Sequence, residues 1–284
     1  MKMKHLSVFL CLMLVVSACN NDKKEAEARL MEAQRFYEQN DWPAAKEVLD
    51  SLKAYYPKQV KSLRKALALM RTIELKEQER NFFYCDSLLT VRLEEAGALS
   101  GKFVLEKDEE YQDIGQWISK KQPLERNIER SYLRSQVNET GEFALVSVFF
   151  GKKAISHNSL KISANDGSFV ETATIARDGG NNFSFTDNDN VSEIVTYLTE
   201  RDGGATAFIV QRPKDRIKVE YKSDGKTRYT AYLAEGDRKA ITETFEYAAV
   251  LSDIECLRRE LEKAKNRIEY LKVKLSENVK ENEE

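Results

Sequence analysis

The chain is poor in histidine, cysteine, proline and glycine, and it lacks a long apolar run after its first nineteen residues. Its 284 residues include 2 His, 4 Cys, 4 Pro and 12 Gly. Zinc sites are built from clusters of His and Cys, and only His157, Cys85 and Cys256 follow residue 19, so such a site is nearly excluded. The 45 basic and 47 acidic residues give a net charge of −2, which argues against a nucleic-acid binder.

The single apolar run of membrane character stands at the start of the chain. Lys2 and Lys4 precede a run from Leu6 to Val16, which is too short to span a bilayer as a helix. A positive segment followed by a short apolar run is typical of an export signal. The run closes on the tetrapeptide Val16-Ser17-Ala18-Cys19, which resembles the lipobox of bacterial lipoproteins.

This resemblance implies that residues 1–18 are a signal peptide and that Cys19 is diacylated and becomes the first residue. Several acyl chains together hold a protein stably at a membrane, so the implied partner is the lipid layer of the cell envelope. An ordinary cleaved signal and an uncleaved anchor are the alternatives. Asn20 stands where an aspartate is linked to inner-membrane retention in this family, which favours the outer membrane and leaves the periplasmic or surface face open.

Helix is predicted from residue 28 to residue 100, after a polar tether at residues 19–27. An apolar face in Ala28 to Pro57 is interrupted at Asn40-Asp41, which predicts two helices joined by a tight turn. Residues 58–98 contain no proline and no glycine before Gly97, so they predict one or two long helices.

The first two helices carry apolar and small residues at repeat-like spacing: Ala33, Phe36, Trp42, Ala45, Leu49 and Pro57. This hairpin resembles a tetratricopeptide repeat, in which small residues let two antiparallel helices nest. No second copy follows at one repeat length, and a single repeat cannot bury both of its faces. A plain helical hairpin that packs on its neighbours is therefore the alternative interpretation.

Residues 102–235 predict a mostly antiparallel β domain, because turn signals recur at short intervals among β-branched and aromatic residues. Residues 143–150 are apolar on both faces and predict a central strand. Residues 216–221 alternate and turn at Asp224-Gly225 into residues 227–233, which predicts a hairpin. The segment 108–130 is ambiguous between strand and helix.

One helix is predicted inside the β domain, because apolar residues share a helical face after Asn190 as the N-cap: Val191, Ile194, Val195 and Leu198. The neighbouring acids Asp187, Asp189 and Glu193 could crowd a calcium ion. The spacing of a calcium loop fails, however, and capping of the predicted helix accounts for the acids.

Residues 236–284 predict a long helix, of which residues 238–278 would span about 60 Å. Its seam repeats every seven residues: Tyr247, Ile254, Leu261, Ile268 and Leu275, with Val250, Leu257, Ala264 and Leu271. If the β domain is an insertion, this helix pairs antiparallel with the helix of residues 58–98; otherwise it forms a homodimer. We favour the internal pairing, which would bring Cys85 and Cys256 within a few turns of each other, with free thiols as the expected state.

No catalytic set can be assembled from the sequence. Ser62 and Lys65 have the S-x-x-K spacing of penicillin-interacting enzymes, but the companion motifs of that family are absent. His157 has no legible partner and is expected in a loop or packed among other residues. We therefore expect no enzyme, no cofactor and no metal.

The sequence as a whole predicts an α+β fold of helical hairpin, long helices and inserted β domain. Two functional hypotheses follow. The first is a non-enzymatic, lipid-anchored envelope protein that acts as a scaffold for protein partners. The second is a lipoprotein whose β domain binds a glycan or another small ligand, since several of its aromatic side chains could form a stacking platform.

Overall fold

The computed structural model describes residues 3–123, 125 and 127–283, and the side chains of residues 21–278 within those ranges. The fold is α+β, as predicted. The described residues form five α-helices: α1 (Met3–Glu38), α2 (Trp42–Tyr55), α3 (Val60–Ser100), α4 (Ala205–Val210) and α5 (Glu235–Glu283). Residues 60–98 thus belong to one uninterrupted helix, and the predicted tether lies within α1.

The described residues also form ten strands, all paired antiparallel: β1 (Phe103–Glu106), β2 (Gln116–Ser119), β3 (Tyr132–Asn138), β4 (Phe143–Gly151), β5 (Ser159–Ser163), β6 (Phe169–Glu171), β7 (Asn182–Asp187), β8 (Asn190–Leu198), β9 (Lys218–Ser223) and β10 (Lys226–Tyr232). A six-stranded sheet has the order β1-β2-β3-β4-β8-β7, and a four-stranded sheet has the order β10-β9-β5-β6. The predicted central strand at residues 143–150 and the predicted hairpin at residues 216–233 are confirmed.

The chain divides into two compact units, Met1–Asp86 with Arg259–Glu284, and Ser87–Arg258. The first unit is helical. Its hairpin of α1 and α2 packs through alanines that leave room for close approach, since Ala33 and Ala45 are both fully buried. The turn between the helices has Asn40 in the left-handed region, at φ 60°, and the Asp41 side chain accepts a hydrogen bond from the Ala44 amide at 3.2 Å. The predicted hairpin and its turn are therefore present.

The second unit holds both sheets and α4 around one apolar core. Strand periodicity sends alternate residues inward, so Leu145 and Val195 of the six-stranded sheet share this core with Leu160 and Val219 of the four-stranded sheet. Tyr221 links the two sheets, because its buried hydroxyl lies 3.1 Å from the carbonyl oxygen of Tyr132. The core between the sheets is filled by side chains.

Helices α3 and α5 run antiparallel within each unit, as the internal pairing predicts. In the first unit the Arg267 guanidinium donates to Glu74 at 2.7 Å, and Ala264 and Leu271 of the predicted seam are buried. In the second unit Arg92 pairs with Asp253 at 3.0 Å. The heptad seam therefore packs inside the chain, and the alternative of a homodimer through the C-terminal helix stays a prediction.

The helix predicted after Asn190 is wrong, because residues 190–198 form strand β8. Asn188 and Asp189 both have positive φ angles, 45° and 62°, which suits a two-residue hairpin turn between β7 and β8. Beyond the turn, Val191, Ile194 and Val195 are β-branched and pair on both sides, with β4 and with β7. Two ladders of hydrogen bonds thus overrode an apolar spacing that also suits a helix.

Candidate functional site

The predicted acylation site lies outside the side chains that the structure describes. The signal-peptide role of residues 1–18 and the acylation of Cys19 therefore stay predictions. Among the helices in the described part of the chain, none is both long and apolar enough to cross a bilayer. Cys85 is buried and Cys256 is exposed, and the structure joins neither of them in a disulfide.

A serine, a histidine and a glutamate meet in the core of the second unit. The His157 Nδ1 atom lies 2.9 Å from Glu193 Oε2, and its Nε2 atom lies 2.8 Å from Ser147 Oγ. The carboxylate can only accept, so Nδ1 carries the proton, and in the neutral ring Nε2 accepts from the serine hydroxyl. This order of groups is the geometry found in nucleophilic hydrolases.

The Glu193 carboxylate is also bound by three backbone amides. Oε1 accepts from the amides of Ile155 and Ser156 at 2.7 and 2.8 Å, and Oε2 accepts from the amide of His157 at 3.0 Å. Burial alone would raise the pKa of Glu193, but the hydrogen bonds from the His157 ring and from the backbone outweigh it and lower the pKa to about 2. The carboxylate is therefore held ionised.

We call the cluster of Ser147, His157 and Glu193 the Ser147 network. Its burial gives it a structural role. Ser147, His157 and Glu193 are 0%, 1% and 3% exposed, so no substrate reaches the hydroxyl. The amides that could bind an oxyanion already bind Glu193. The network ties the segment before β5 to β4 and β8. Sequence reasoning expected His157 in a loop or packed and missed its partners, because they stand 10 and 36 residues away in the chain.

The calcium alternative finds no support in the positions of its acids. Glu193 points into the core, while Asp187 and Asp189 are exposed at the β7–β8 turn. Among the described residues, no group of three or more His, Cys, Asp or Glu side chains could hold a metal ion. The capping explanation for these acids is wrong as well, because Glu193 lies in a strand and binds loop amides.

The outer face of the six-stranded sheet carries an apolar depression of about 480 Å³ in the second unit. We call it the apolar sheet face, and its lining residues are Asn127, Ile128, Tyr132, Arg134, Gln136, Val146, Val148, Phe183, Phe185, Ser192, Ile194 and Thr196. Val146 forms the floor and is 1% exposed, whereas Phe185 and Ile128 at the rim are 51% and 63% exposed. Large apolar side chains at such a rim mark a surface that can be covered by a partner.

Arg134 is the cation of the apolar sheet face. Its guanidinium donates to Gln136 at 2.6 Å, and within the described residues it makes no ion pair with a carboxylate. Its Nε atom is buried without a hydrogen-bond partner. Arginine and aromatic residues are enriched at protein interfaces, so the lining resembles that of a contact surface.

The outer face of the four-stranded sheet carries a second depression, of about 320 Å³. We call it the basic–aromatic pocket. The strand register aligns Tyr232, Lys218, Ser163 and Phe169 in one row across the sheet. Because neighbouring strands lie about 4.8 Å apart, the two aromatic residues stand roughly 14 Å apart at their backbones, with Lys218 and the small Ser163 between them.

Each aromatic wall of this pocket carries a cation. The Lys161 ammonium lies 4.0 Å from the centre of the Phe169 ring, and the Arg216 guanidinium lies 3.8 Å from the centre of the Tyr232 ring. Neither cation forms an ion pair within the described part of the chain. Three cations and a single carboxylate, Glu220, line the depression, so its field is positive although the whole chain is acidic.

Comparison of the chain with protein-family models, with curated proteins and with solved structures finds no match.

Proposed function

We propose that this chain is a lipid-anchored protein of the cell envelope, held through Cys19, that binds protein partners without catalysing a reaction. The anchor is supported by the lipobox-like pattern of residues 16–19. The contact role is carried by the apolar sheet face, which leaves Phe185 half exposed and includes Arg134, a cation that makes no ion pair within the described residues. An outer-membrane location and a repeat-like role for the α1–α2 hairpin belong to the same proposal.

The partner fits this face when it places an apolar side chain over the Val146 floor and a carboxylate near Arg134. Burial of one large apolar side chain contributes about 2 kcal/mol. A carboxylate that meets Arg134 in a partly buried setting forms a charge-assisted hydrogen bond, and it satisfies an arginine that has no acidic partner within the described residues.

The anchor is tested by mass spectrometry of the protein made by its native host. We expect a chain that begins at a diacylated Cys19. An intact leader or an unmodified thiol contradicts the anchoring.

The contact role is tested by a photo-cross-linking residue placed at Phe185 in the native host. Phe169 is a matched control, because it is the same residue type with 54% exposure and lies on the other sheet. We expect a protein cross-link from position 185 that is absent from position 169 and is lost with Arg134→Glu. No product from 185, or a product that persists with Arg134→Glu, refutes this use of the face.

A second candidate function is binding of an anionic saccharide in the basic–aromatic pocket. Aromatic walls suit the apolar face of a sugar ring, and the unpaired Lys161 and Arg216 suit a carboxylate or phosphate on it. A pocket of this size lies at the lower end of the usual range for small ligands.

Calorimetry with trigalacturonic acid and with its neutral methyl ester tests this candidate on the full-length chain in detergent. We expect the acid to bind and the ester to bind at least about tenfold more weakly, with a similar loss for Lys161→Gln or Arg216→Gln. Lys153→Gln removes an exposed cation elsewhere on the same unit and serves as the control. Equal binding of acid and ester contradicts the candidate.

A further inference from the structure

One stretch of the first unit has a charge pattern opposite to that of the whole chain. Residues 51–73 contain no acidic residue and six basic ones: Lys53, Lys58, Lys61, Arg64, Lys65 and Arg71. The chain as a whole has a net charge of −2. The stretch covers the end of α2, the turn that follows it and the first third of α3. We call it the basic turn surface.

The cations of the basic turn surface are free to meet an outside anion. The first five of the six are exposed, and none of the six forms an ion pair within the described residues. Other surface lysines and arginines of this unit, such as Lys46 and Arg267, do pair with glutamates of α3. A solvated helix face of mixed charge would show pairs of the same kind.

Exposed apolar side chains stand among these cations. Tyr55 is 75% exposed and Val60 is 57% exposed, on either side of the turn between α2 and α3. Tyrosine is enriched where protein meets the interface of a bilayer, because its ring is apolar and its hydroxyl is polar. Basic residues interleaved with such side chains form a surface that suits lipid headgroups.

The basic turn surface lies close to the predicted anchor. The Tyr56 hydroxyl donates to Glu25 Oε2 at 2.8 Å, which joins the turn to the start of the helical hairpin. Cys19 precedes Glu25 by six residues, so the chain between them can span at most about 20 Å in any conformation. Acyl chains on Cys19 would therefore hold the turn near the headgroups.

The last turns of α5 line part of the same surface. Lys274 lines a depression of about 400 Å³ with Arg64, Lys65 and Arg71, and it pairs there with Glu277, the sole acidic residue of the lining, at 2.7 Å. The net positive charge of the depression therefore comes from the three cations of α3. This charge favours contact with a negatively charged membrane surface.

We propose that the basic turn surface docks on anionic phospholipid headgroups and forms a second attachment beside the acyl chains. This inference rests on the proposed anchoring at Cys19. Each basic residue near an anionic membrane changes the docked population about fivefold, so three of them change it about a hundredfold. Docking would fix the orientation of the first unit relative to the membrane, which acyl chains on a single residue do not.

The test places a tryptophan at the turn and reads its contact with lipid. The full-length Tyr55→Trp chain is mixed with vesicles that carry a spin-labelled quenching lipid. One set contains phosphatidylcholine alone, and in the other roughly a third of the lipid is phosphatidylglycerol. The signal of the native tryptophans is subtracted with the chain that keeps Tyr55. We expect quenching that is at least about twofold stronger on the anionic vesicles and that is lost at roughly 0.5 M salt.

Matched charge variants make the test specific. Lys58→Gln, Lys61→Gln and Lys65→Gln together are expected to abolish the extra quenching. The control removes three exposed cations of the second unit, Lys152, Lys153 and Lys226, by the same change to Gln, and is expected to leave it unchanged.

Equal quenching on both kinds of vesicle, or extra quenching that survives the first triple variant, overturns the proposal. An absence of quenching on both kinds of vesicle also overturns the proposal, and it is the result expected if the surface binds an acidic protein instead. Failure of the proposed anchoring at Cys19 is distinguished by flotation, since a chain without acyl groups no longer floats with neutral phosphatidylcholine vesicles.

Discussion

The Ser147 network should make the folding of the second unit strongly dependent on one carboxylate. In the folded chain the pKa of Glu193 is about 2, against 4.5 for an ordinary glutamate, because hydrogen bonds from His157 and from backbone amides outweigh the burial. A carboxyl with this difference adds about 3 kcal/mol to the free energy of unfolding at neutral pH. Its folded pKa is lowered, so the contribution is present above about pH 4.5 and is lost as the pH falls towards 2.

Glu193→Gln keeps the size of the side chain and removes its charge. We expect the variant to lose about 3 kcal/mol at pH 7, because its amide group cannot accept all the hydrogen bonds that the carboxylate accepts. The difference from the native chain should shrink below pH 4. Urea unfolding at a series of pH values measures both the loss of unfolding free energy at pH 7 and its change with pH. In a Trp42→Phe background the fluorescence comes from Trp117, which lies in the second unit 5.8 Å from the Tyr247 ring.

Glu171→Gln is the control, since this glutamate is 45% exposed and pairs with Lys222 on the surface at 2.8 Å. It should cost less than about 1 kcal/mol and show no comparable pH dependence. Equal unfolding free energies for Glu193→Gln and the native chain at pH 7 would refute the reasoning. A gap that is as large at pH 2.5 as at pH 7 would also refute it, because the cost would then not arise from charge.

Two further substitutions test the packing of the second unit. Gly141→Ala should lower the free energy of unfolding by more than about 2 kcal/mol, since a Cβ at this residue, with φ +88°, would lie 2.3 Å from the Ser252 amide of α5. Gly225→Ala has a similar φ and open space around it, so a loss of about 1 kcal/mol is expected, and equal losses in urea unfolding would contradict the contact. Arg130→Lys keeps the charge but loses the pair of guanidinium hydrogen bonds to the buried Asp237, at 2.6 and 2.8 Å. It should lower the free energy of unfolding by about 2 kcal/mol in the same assay, and a loss within error of zero would show that the pair of bonds is dispensable.

The helical part of the chain could be predicted because its signals are local. The absence of proline, and of glycine before Gly97, predicts α3, and a heptad seam without interruption from Tyr247 to Leu275 predicts α5. The hairpin turn at Asn40-Asp41 follows from backbone chemistry within a few residues. The antiparallel pairing of α3 with α5 could also be inferred, since an apolar helical surface needs a partner and the inserted β domain leaves one in reach.

The β domain was harder to predict, because the state of a strand depends on its neighbours. Val191, Ile194 and Val195 suit a helix face as well as a strand, and the pairing of β8 with both β4 and β7 decided between them. Which residues lie together on the outer face of each sheet likewise depends on the register of the strands. Tyr232 and Phe169 stand 63 residues apart in the chain and face each other across one pocket only because β9 and β5 lie between them.

By itself, the sequence determined the leader pattern that ends at Cys19, the long helices and the basic stretch of residues 51–73, because these features are written in neighbouring residues. Only the tertiary structure decided that His157 joins Ser147 and Glu193 in the core and that this acid binds loop amides instead of capping a helix. The physical reason is that these hydrogen bonds join residues that are 10 and 36 positions apart in the chain. Such residues meet only once the strands have paired, so no local sequence pattern indicates the contact.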